Sequence, residues 1–356
     1  MRIHSIDYLR GIMALSVVLY HFSGLPDASS LLGRLGVYAV SSFYVISGMA
    51  LFLAHKRDRW SVHNYCSFML RRFARLAPVY WLAMVIFTLY FFIFADGPNI
   101  STWKYIQNFL LIFGVTNPTD YIIMGGWSIG NEVVFYLFFP LFIFLAFNRW
   151  GVFALSLVGI ALLLYCAFYY MHRTETVSGQ WARYINPLNQ IYFFIFGVVA
   201  ARLLLTNVGG RKKTLSAVII ACFLFMSVYP VSGDQINIVT GMNKIVFTSV
   251  IVILSSAFFL LGDLSRIRAL HVPLKFLGDI SYTIYLLHGV ALMYFQKIVM
   301  PHIVSHMAKG IAVLTLIAFL MLVSWICHIY IERPVIALGK RFTMRSNEEE
   351  RAVNTQ

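Results

Sequence analysis

The sequence predicts an all-α, polytopic membrane protein with about ten transmembrane helices and both termini in the cytoplasm. Of its 356 residues, 60% are hydrophobic and only 12% are charged, a composition that excludes an ordinary soluble domain. Apolar stretches long enough to cross a bilayer, about 20 residues each, recur along the whole chain. Basic residues gather in every second connection between them, as the positive-inside rule expects of cytoplasmic loops.

Ten apolar stretches are interpreted as membrane spans. The first has no small-residue cleavage site after it, so we expect it to remain in the protein and not to be removed as a signal peptide. The run 106–115 is too short to cross a bilayer alone and is interpreted as a re-entrant or interfacial helix. The ten predicted spans cover approximately residues 7–25, 35–54, 76–95, 127–147, 151–171, 187–205, 214–230, 243–261, 277–298 and 309–331.

The positions of Lys and Arg set the expected orientation. If the run 106–115 were a span, every later connection would be inverted and the basic cluster at 211–213 would lie outside. The net charge of +14 is explained by this topology and by anionic lipid headgroups, so no nucleic-acid partner is expected. The basic connections contain Lys56, Arg57, Arg59, Arg71, Arg72 and Arg75, then Arg149, then Arg211, Lys212 and Lys213, then Arg266, Arg268 and Lys275, then Lys340, Arg341 and Arg345.

The domain organisation is expected to be simple. Residues 1–340 are interpreted as a single transmembrane domain, and residues 341–356 as a polar, disordered cytoplasmic tail. The four cysteines have no CxxC spacing, and none lies in a predicted outer loop. Neither a disulfide framework nor a metal site is therefore expected.

The first predicted span carries three ionisable residues, Asp7, Arg10 and His21, inside an apolar run. Eleven residues separate Arg10 from His21, which brings them within roughly 20° of one helix face and about 16 Å apart along the axis. Asp7 lies one turn below Arg10. Because lipid cannot solvate such groups, we expect this face to line a polar cavity between helices.

A basic pair precedes the third predicted span, in FMLRRFARLAPVYW. Arg72 and Arg75 are three residues apart and share a helix face, where two guanidinium groups can bind phosphate. The alternative is ordinary topogenic charge at a cytoplasmic surface, which the sequence alone favours.

The segment GGWSIGNEVVFYLFFP places Trp127, Glu132 and Tyr136 at helical spacings near the outer end of the fourth predicted span. A carboxylate just inside the bilayer can orient or deprotonate an imidazole or a substrate hydroxyl. A purely structural alternative is equally open, with Glu132 pairing to another helix and Trp127 belonging to the interfacial aromatic belt.

Two further segments offer weaker signals. In the ninth predicted span, Ser281, Tyr285 and His288 recur on one face, where such groups often only bond helix to helix; packing or pocket support is favoured for His288. In the second, Ser47 stands next to Gly48, a small pair that lets a backbone or a slender ligand approach closely.

These segments together resemble the acyltransferase 3 family of integral-membrane acyltransferases that modify bacterial surface glycans. The resemblance extends from about residue 5 to about residue 335. It rests on six motifs in fixed order, namely DYLRG with Arg10 and His21, FYVISG, RRFARLAPVYW, WSIGNEVVFYLF, LGDISYTIYLLH and YIERP. One departure is that Glu132 is flanked by Asn131 and Val133, where many relatives have a second carboxylate.

The resemblance implies a ten-helix membrane protein that takes an acyl group from cytoplasmic acyl-coenzyme A and transfers it to a sugar hydroxyl. The family's Arg and His pair would be Arg10 and His21, and its basic motif would be Arg72 and Arg75. Its W-S-x-x-x-E element would comprise Trp127, Ser128 and Glu132. The resemblance also implies the inner membrane of a bacterium as the location, and acetyl-CoA as the common donor.

These expectations lead to a mechanistic hypothesis. His21 and Glu132 are the expected catalytic residues: His21 acts as general base on the sugar hydroxyl, and Glu132 positions the acceptor or orients His21. Arg10, Arg72 and Arg75 would bind acyl-CoA, whose thin pantetheine arm would reach into the membrane. A covalent acyl-histidine is the less favoured variant. Substrate binding or pocket support is expected of Asp7, Ser47, Trp127, Ser128, Tyr136, Ser281, Tyr285 and His288.

Two other function classes remain open on the sequence. A proton-coupled or other small-solute transporter would also place Arg, His and Glu in the membrane, but it predicts inverted repeats, and none is found. A non-enzymatic membrane assembly protein would tolerate conservative replacement of His21. The expected partners are acyl-CoA, a glycan acceptor such as O-antigen or exopolysaccharide, membrane lipids and glycan-assembly proteins.

Overall fold

The computed structural model describes residues 3–58 and 60–353, and every regular element within them is helical. Arg59, which the sequence assigns to a basic connection, lies outside the described residues, as do residues 354–356 of the predicted tail. The α-helices of the described part are α1 His4–Phe22, α2 Leu31–His55, α3 Val62–Phe94, α4 Thr102–Phe109, α5 Phe113–Thr116, α6 Gly126–Ala146, α7 Arg149–Tyr165, α8 Trp181–Tyr184, α9 Ile191–Leu204, α10 Lys212–Val228, α11 Ile236–Val239, α12 Gly241–Leu261, α13 Arg268–Ile298, α14 His306–Cys327 and α15 Arg333–Val353.

The all-helical, multi-pass membrane class is confirmed. Within the described part of the chain, seven helices are long and apolar enough to cross a membrane, namely those at Leu31–His55, Val62–Phe94, Gly126–Ala146, Arg149–Tyr170, Gly241–Leu261, Arg268–His302 and His306–Thr343. The other three predicted spans coincide with α1, α9 and α10. The helix α1 carries His4, Asp7, Arg10 and His21, and α9 and α10 have 14 and 17 residues. Ten spans and cytoplasmic termini therefore stay a prediction.

The third helix begins well before the predicted span. It starts at Val62 and not near residue 76, with the Ser61 hydroxyl accepting a hydrogen bond from the Asn64 amide as its N-cap. Its first turns contain Arg71, Arg72 and Arg75, which lower the hydropathy of the sequence but have high helix propensity. The basic pair therefore lies inside a long helix and not in the segment before it.

The run 106–115 falls in two short helices, α4 and α5, of eight and four residues. These are about 12 Å and 6 Å long, far short of the roughly 30 Å of bilayer hydrocarbon. Leu111 separates them in a left-handed conformation with φ of 58°. The buried side chain of Asn108 ties the segment together: its amide nitrogen donates to the Asp120 carbonyl at 2.6 Å, and its oxygen accepts the Tyr80 hydroxyl.

The polar C-terminal segment also differs from its prediction as a disordered tail. Helix α15 extends to Val353, so residues 341–353 are helical in the structure. Glu and Arg, which are common in this segment, have high helix propensity. A helix that is already nucleated by the preceding turns can therefore continue through them.

The chain divides into two compact units. The first comprises residues 3–57 and 138–285, and the second comprises residues 58 and 60–137 together with 286–353. Helices α6 and α13 contribute residues to both units.

In the first unit, two glycines allow α2 and α9 to pack closely. A Cβ atom on Gly48 would overlap the Phe194 carbonyl, and one on Gly197 would overlap the Val45 carbonyl. Close approach of backbones at small residues is the usual way that membrane helices associate. The small pair at Ser47 and Gly48 therefore admits a neighbouring backbone.

In the second unit, α3 packs against α15 and against the π-helical turn His328–Glu332 that precedes it. Gly339 faces Ala74, where a Cβ atom would come within 2.8 Å of the Ala74 Cβ. The Arg71 guanidinium donates to the Thr343 hydroxyl at 3.2 Å. These contacts hold the basic part of α3 in place.

Candidate active site

Helix α1 carries the expected ionisable residues, and all three are half-buried. The Arg10 guanidinium donates to the Asp7 carboxylate at 3.2 Å, an ion pair that the three-residue spacing allows. His21 lies in the last turn, where its ring and that of Tyr20 meet edge to face with their centres 5.2 Å apart. The acid and the guanidinium thus neutralise each other near one end of the helix, and the imidazole lies near the other end.

A glycine crossing brings α1 against α13 within the first unit. A Cβ atom on Gly11 would lie 2.6 Å from the Gly278 nitrogen, so the two backbones touch there. The next residue, Asp279, accepts a hydrogen bond from the Lys275 ammonium at 2.6 Å. The crossing therefore places the turn with Asp7 beside a second ion-paired turn. The sequence analysis missed this arrangement, because the two motifs are far apart in the chain.

A second polar cluster lies near the start of α1. The Tyr8 hydroxyl is 2.6 Å from His271 Nδ1 and 3.3 Å from the Asp263 carboxylate. Burial raises the pKa of Asp263, but hydrogen bonds from the Ser265 amide and Tyr8 outweigh it, so this pKa is lowered overall. The carboxylate is therefore held in its charged form beside the imidazole.

In the second unit, the structure joins two of the predicted motifs. The Arg72 guanidinium lies over the Phe68 ring, 5.5 Å from its centre, and Phe68 in turn meets Tyr136 edge to face at 6.0 Å. The Tyr136 hydroxyl donates a hydrogen bond to the Glu132 carboxylate. The charge of Arg72 lies within electrostatic range of both groups, and that of Arg75 lies within range of Tyr136.

This cluster of Arg72, Arg75, Glu132 and Tyr136 is one electrostatic unit. The carboxylate offsets part of the positive charge of the two guanidinium groups, and the phenol fixes one carboxylate oxygen. Such an arrangement can bind an anionic group while keeping the arginine side chains oriented. The sequence identified all four residues but assigned the arginines and the carboxylate to opposite membrane surfaces.

The remaining predicted site residues are buried. The Ser128 hydroxyl donates to the Gly125 carbonyl at 2.9 Å, and the Ser281 hydroxyl donates to the Gly278 carbonyl at 2.8 Å, so both bonds are local to their helices. Tyr285 meets Phe43 edge to face at 5.6 Å. Also buried are Ser47, Trp127 and His288.

The predicted site residues are divided between the two units. The first unit contains Asp7, Arg10, His21, Ser47, Ser281 and Tyr285, and the second contains Arg72, Arg75, Trp127, Ser128, Glu132, Tyr136 and His288. Throughout the described residues, no group of three His, Cys, Asp or Glu side chains is placed to hold a metal ion.

The sequence analysis did not identify the buried lysine Lys244. Lys244 of α12 is only 3% exposed, and its ammonium donates to the Asn189 side-chain oxygen and, at 3.4 Å, to the Cys166 carbonyl. The Tyr192 ring lies 5.8 Å away. The signal was available, because a lysine inside a predicted span is an ionisable residue in the membrane.

Comparison with known proteins identifies the family. The family model for the Acyltransferase domain of the acyltransferase 3 group matches residues 3–330. The chain is 26% identical to acyltransferase MdmB of Streptomyces mycarofaciens, with 96% of this chain and 93% of the relative covered. It is 26% identical to exopolysaccharide production protein ExoZ of Rhizobium meliloti, with 86% and 91% covered.

A third relative is longer than this chain. Peptidoglycan O-acetyltransferase OatA of Listeria monocytogenes is 25% identical over 80% of this chain, which spans 48% of the relative. All six motifs of the sequence analysis begin inside the matched residues 3–330. The chain therefore belongs to the acyltransferase 3 family and is an enzyme that transfers acyl groups other than amino-acyl groups.

Proposed function

We propose that the protein is a membrane O-acyltransferase that moves an acetyl or another short acyl group from cytoplasmic acyl-CoA to a hydroxyl of a surface or lipid-linked glycan. As acceptor glycans we propose exopolysaccharide and the O-antigen of lipopolysaccharide. Family membership supports the reaction type. The names of the relatives OatA and ExoZ, which concern peptidoglycan O-acetylation and exopolysaccharide production, support a glycan acceptor.

The proposal includes ten membrane spans, with both termini in the cytoplasm and the protein in the bacterial inner membrane. It is supported by a helix at each of the ten apolar stretches and by basic residues in every second connection. In this orientation α1 runs outward, so Asp7 and Arg10 lie toward the cytoplasm and His21 lies in the outer half of the membrane.

One observation carries the proposal: the family match includes α1, where Arg10 and His21 are both half-buried on a single helix. An imidazole in a membrane helix is costly unless it has a function or a partner. Neutral imidazole is also the side chain best suited to accept a proton near pH 7.

The proposed chemistry uses His21 as general base. The imidazole takes the proton of the acceptor hydroxyl while the oxygen attacks the thioester carbonyl of acyl-CoA. The carbon–sulfur bond then breaks, and His21 returns its proton to the leaving thiolate, which gives an ester and free CoA. Arg10 lies about 16 Å from His21 along the axis of α1, so its proposed role is to guide the pantetheine arm of acyl-CoA and not to contact the reacting carbonyl. Asp7 keeps this guanidinium oriented through its ion pair.

The proposed donor site uses the arginine cluster of the second unit. Arg72 and Arg75 bind phosphate groups of acyl-CoA through charge-assisted hydrogen bonds. Glu132 is the second proposed catalytic residue, and Tyr136 fixes its carboxylate within the second unit. Proposed pocket support comes from Ser47, Trp127, Ser128, Ser281, Tyr285 and His288.

The test is transfer by purified protein reconstituted in liposomes. Acetyl-CoA and a glycan extract are supplied, released CoA thiol is measured, and the glycan is analysed by mass spectrometry. We expect His21→Ala to abolish both signals at unchanged protein level. The matched control is His302→Ala, since His302 is an exposed histidine outside the proposed site. Substantial acylation by His21→Ala would remove His21 from the proposed role.

The covalent variant is separated by a second measurement. Enzyme is incubated with labelled acetyl-CoA in the absence of acceptor, quenched and digested. General-base catalysis predicts no label on the protein, because the acyl group passes directly to the hydroxyl. Label retained on His21 would instead establish an acyl-histidine intermediate.

A further inference from the structure

A cavity of about 410 Å³ lies in the first unit, after the end of α7. Its lining comprises Ala167, Phe168, Met171, His172, Arg173 and Thr174. The volume falls in the range of about 300–1,000 Å³ that small-molecule sites occupy. Part of its wall is the π-helical turn Cys166–Tyr170, an element that often occurs at functional sites.

The cavity wall is held by buried hydrogen bonds. The side chain of Gln180, which is 5% exposed, accepts the His172 amide at 2.9 Å and donates to the His172 carbonyl at 2.6 Å. It also donates to the Glu175 carbonyl at 3.1 Å. The Val177 amide is bonded to the Asp234 carboxylate at 3.1 Å. The loop is thus preorganised for binding.

Arg173 gives the rim of the cavity a positive charge. Its exposed side chain lies over Gly241, where a Cβ atom would overlap the guanidinium. Gly241 has φ of 57° and begins α12, so the guanidinium sits at the positive end of that helix. No carboxylate of the described residues forms an ion pair with Arg173, and its donors therefore remain available to a ligand.

A second cation lies behind the cavity floor. The Asn189 amide contacts the Met171 sulfur at 3.5 Å, and the oxygen of the same side chain accepts the Lys244 ammonium. The acceptors of Lys244 are neutral, namely Asn189 and the Cys166 carbonyl. A buried ammonium without a carboxylate partner makes the local field positive, which favours an anion in the adjoining cavity.

Tyr184 of α8 lies close to the residues behind the cavity floor. The Tyr184 carbonyl accepts hydrogen bonds from the side chains of Asn189 and Gln190, both at 2.9 Å. Tyr184 lies within electrostatic range of Tyr20, the neighbour of His21 in the last turn of α1. The residues behind the cavity floor and the turn that carries His21 therefore both lie in the surroundings of Tyr184.

We infer that this cavity is the acceptor-binding site and that it takes an anionic saccharide, such as a glycan with uronic acid residues. The inference rests on the proposed function, whose acceptor class it narrows. Phe168 offers an apolar face for a sugar ring, Thr174 offers a hydroxyl, and Arg173 offers a charge-assisted hydrogen bond to a carboxylate. Exposed Tyr165 and Tyr169 on the preceding turns are typical of the membrane interface, where such an acceptor is presented.

The experiment measures binding without turnover. Protein in nanodiscs of zwitterionic phosphatidylcholine is titrated with a glucuronic acid oligosaccharide and, separately, with the glucose oligosaccharide of equal length. We expect wild type to bind the acidic probe about tenfold more tightly, since the two probes differ only in the carboxylates that meet Arg173. Arg173→Gln should remove this preference.

The control is Arg183→Gln, an exposed arginine of the same connection that does not line the cavity; it should leave the preference intact. Equal binding of both probes by wild type, or an unchanged preference in Arg173→Gln, would overturn the inference. Loss of the preference when phosphatidylglycerol replaces phosphatidylcholine would also overturn it, because a lipid headgroup would then be the occupant.

His21→Ala separates this inference from the proposed function. Its binding preference should match wild type, since the cavity does not include His21. If His21→Ala still prefers the acidic probe and still transfers acyl groups, the proposed role of His21 is wrong. The inferred acceptor site would then remain supported. If acyl transfer requires His21 but wild type shows no preference for the acidic probe, the inferred acceptor site is wrong. The proposed role of His21 would then remain supported.

Discussion

Arg34 is a buried charge whose hydrogen bonds go to the main chain. Its side chain is 2% exposed, and the guanidinium donates to five carbonyl oxygens near the His21 end of the first unit. Buried backbone carbonyls require a hydrogen-bond donor. These carbonyls receive none from the backbone of a helix or strand, and Arg34 supplies it. The five acceptors are the carbonyls of Ala28, Ser29, Met226, Tyr229 and Val231.

We therefore expect Arg34→Met to destabilise the protein by about 3 kcal/mol, because methionine fills part of the volume but leaves four of these carbonyls without donors. The Tyr229 carbonyl still accepts the Val231 amide at 2.9 Å. The measurement is thermal unfolding in detergent. Arg202→Met is the control, since the exposed Arg202 makes one bond, from Nε to the Ala146 carbonyl at 3.1 Å. Equal losses of stability in the two variants would contradict this account of Arg34.

Tyr136 allows a residue-scale test of the arginine cluster. In Tyr136→Phe the ring and its contact with Phe68 remain, but Glu132 loses a hydrogen bond from a buried hydroxyl. A hydrogen bond to a charged group contributes roughly 1.5–3 kcal/mol, so we expect acyl transfer to fall at least about tenfold. Turnover is measured at saturating acetyl-CoA, with protein level and melting temperature as controls. Unchanged turnover would show that Tyr136 has only a packing role.

At the scale of helices, the contact between α1 and α13 depends on two glycines. A methyl group on Gly278 would lie within 2.8 Å of the Asp7 carbonyl carbon, so Gly278→Ala must push the helices apart. Overpacking of this kind costs about 1–3 kcal/mol. We expect a lower melting temperature together with reduced transfer, because the turn with Asp7 and Arg10 moves.

Gly310→Ala is the matched control for this prediction. Gly310 lies in α14 with open space around the position of a Cβ atom, so alanine meets no atom there. The same substitution should then stabilise the helix by up to about 1 kcal/mol. If Gly310→Ala were destabilised, or if Gly278→Ala were unaffected, the close contact between α1 and α13 would not be the reason for a glycine at position 278.

The helices could be predicted only where the sequence is continuously apolar. Apolar stretches located the helices, but the first turns of α3 were missed, since Arg71, Arg72 and Arg75 interrupt the apolar pattern while favouring helix. The break between α4 and α5 was not readable either, because it depends on the left-handed backbone of Leu111 and on bonds of the buried Asn108. Local composition carries little information about such tertiary contacts.

For the whole molecule, the class and family could be predicted because composition and motif order extend along the chain. The candidate site was only partly readable. Each residue of the arginine cluster was identified, but the proximity of Arg72 to Glu132 depends on how α3 packs against α6. Lys244 and Arg173 were not identified, because neither belongs to a motif. Their possible role depends on which residues surround them in the folded unit, and the sequence does not show this.

The proposed topology predicts a distinct labelling pattern for the whole molecule. Cys66, near the start of α3, is exposed, whereas Cys166, Cys222 and Cys327 are buried. A membrane-impermeant maleimide should therefore modify Cys66 alone. Because the connection before α3 is basic, it should do so in inside-out vesicles and not in intact spheroplasts.

A second variant tests the opposite surface. Thr174 is exposed in the connection after α7, so Thr174→Cys in a Cys66→Ser background should be labelled in spheroplasts and protected in inside-out vesicles. Two crossings separate the inner end of α3 from the inner end of α7, and α7 itself supplies a third, so the two positions must face opposite compartments. If both cysteines were labelled from the same side, the number of spans between them would be even. The run 106–115 would then have to cross the membrane, and the acceptor cavity would face the cytoplasm.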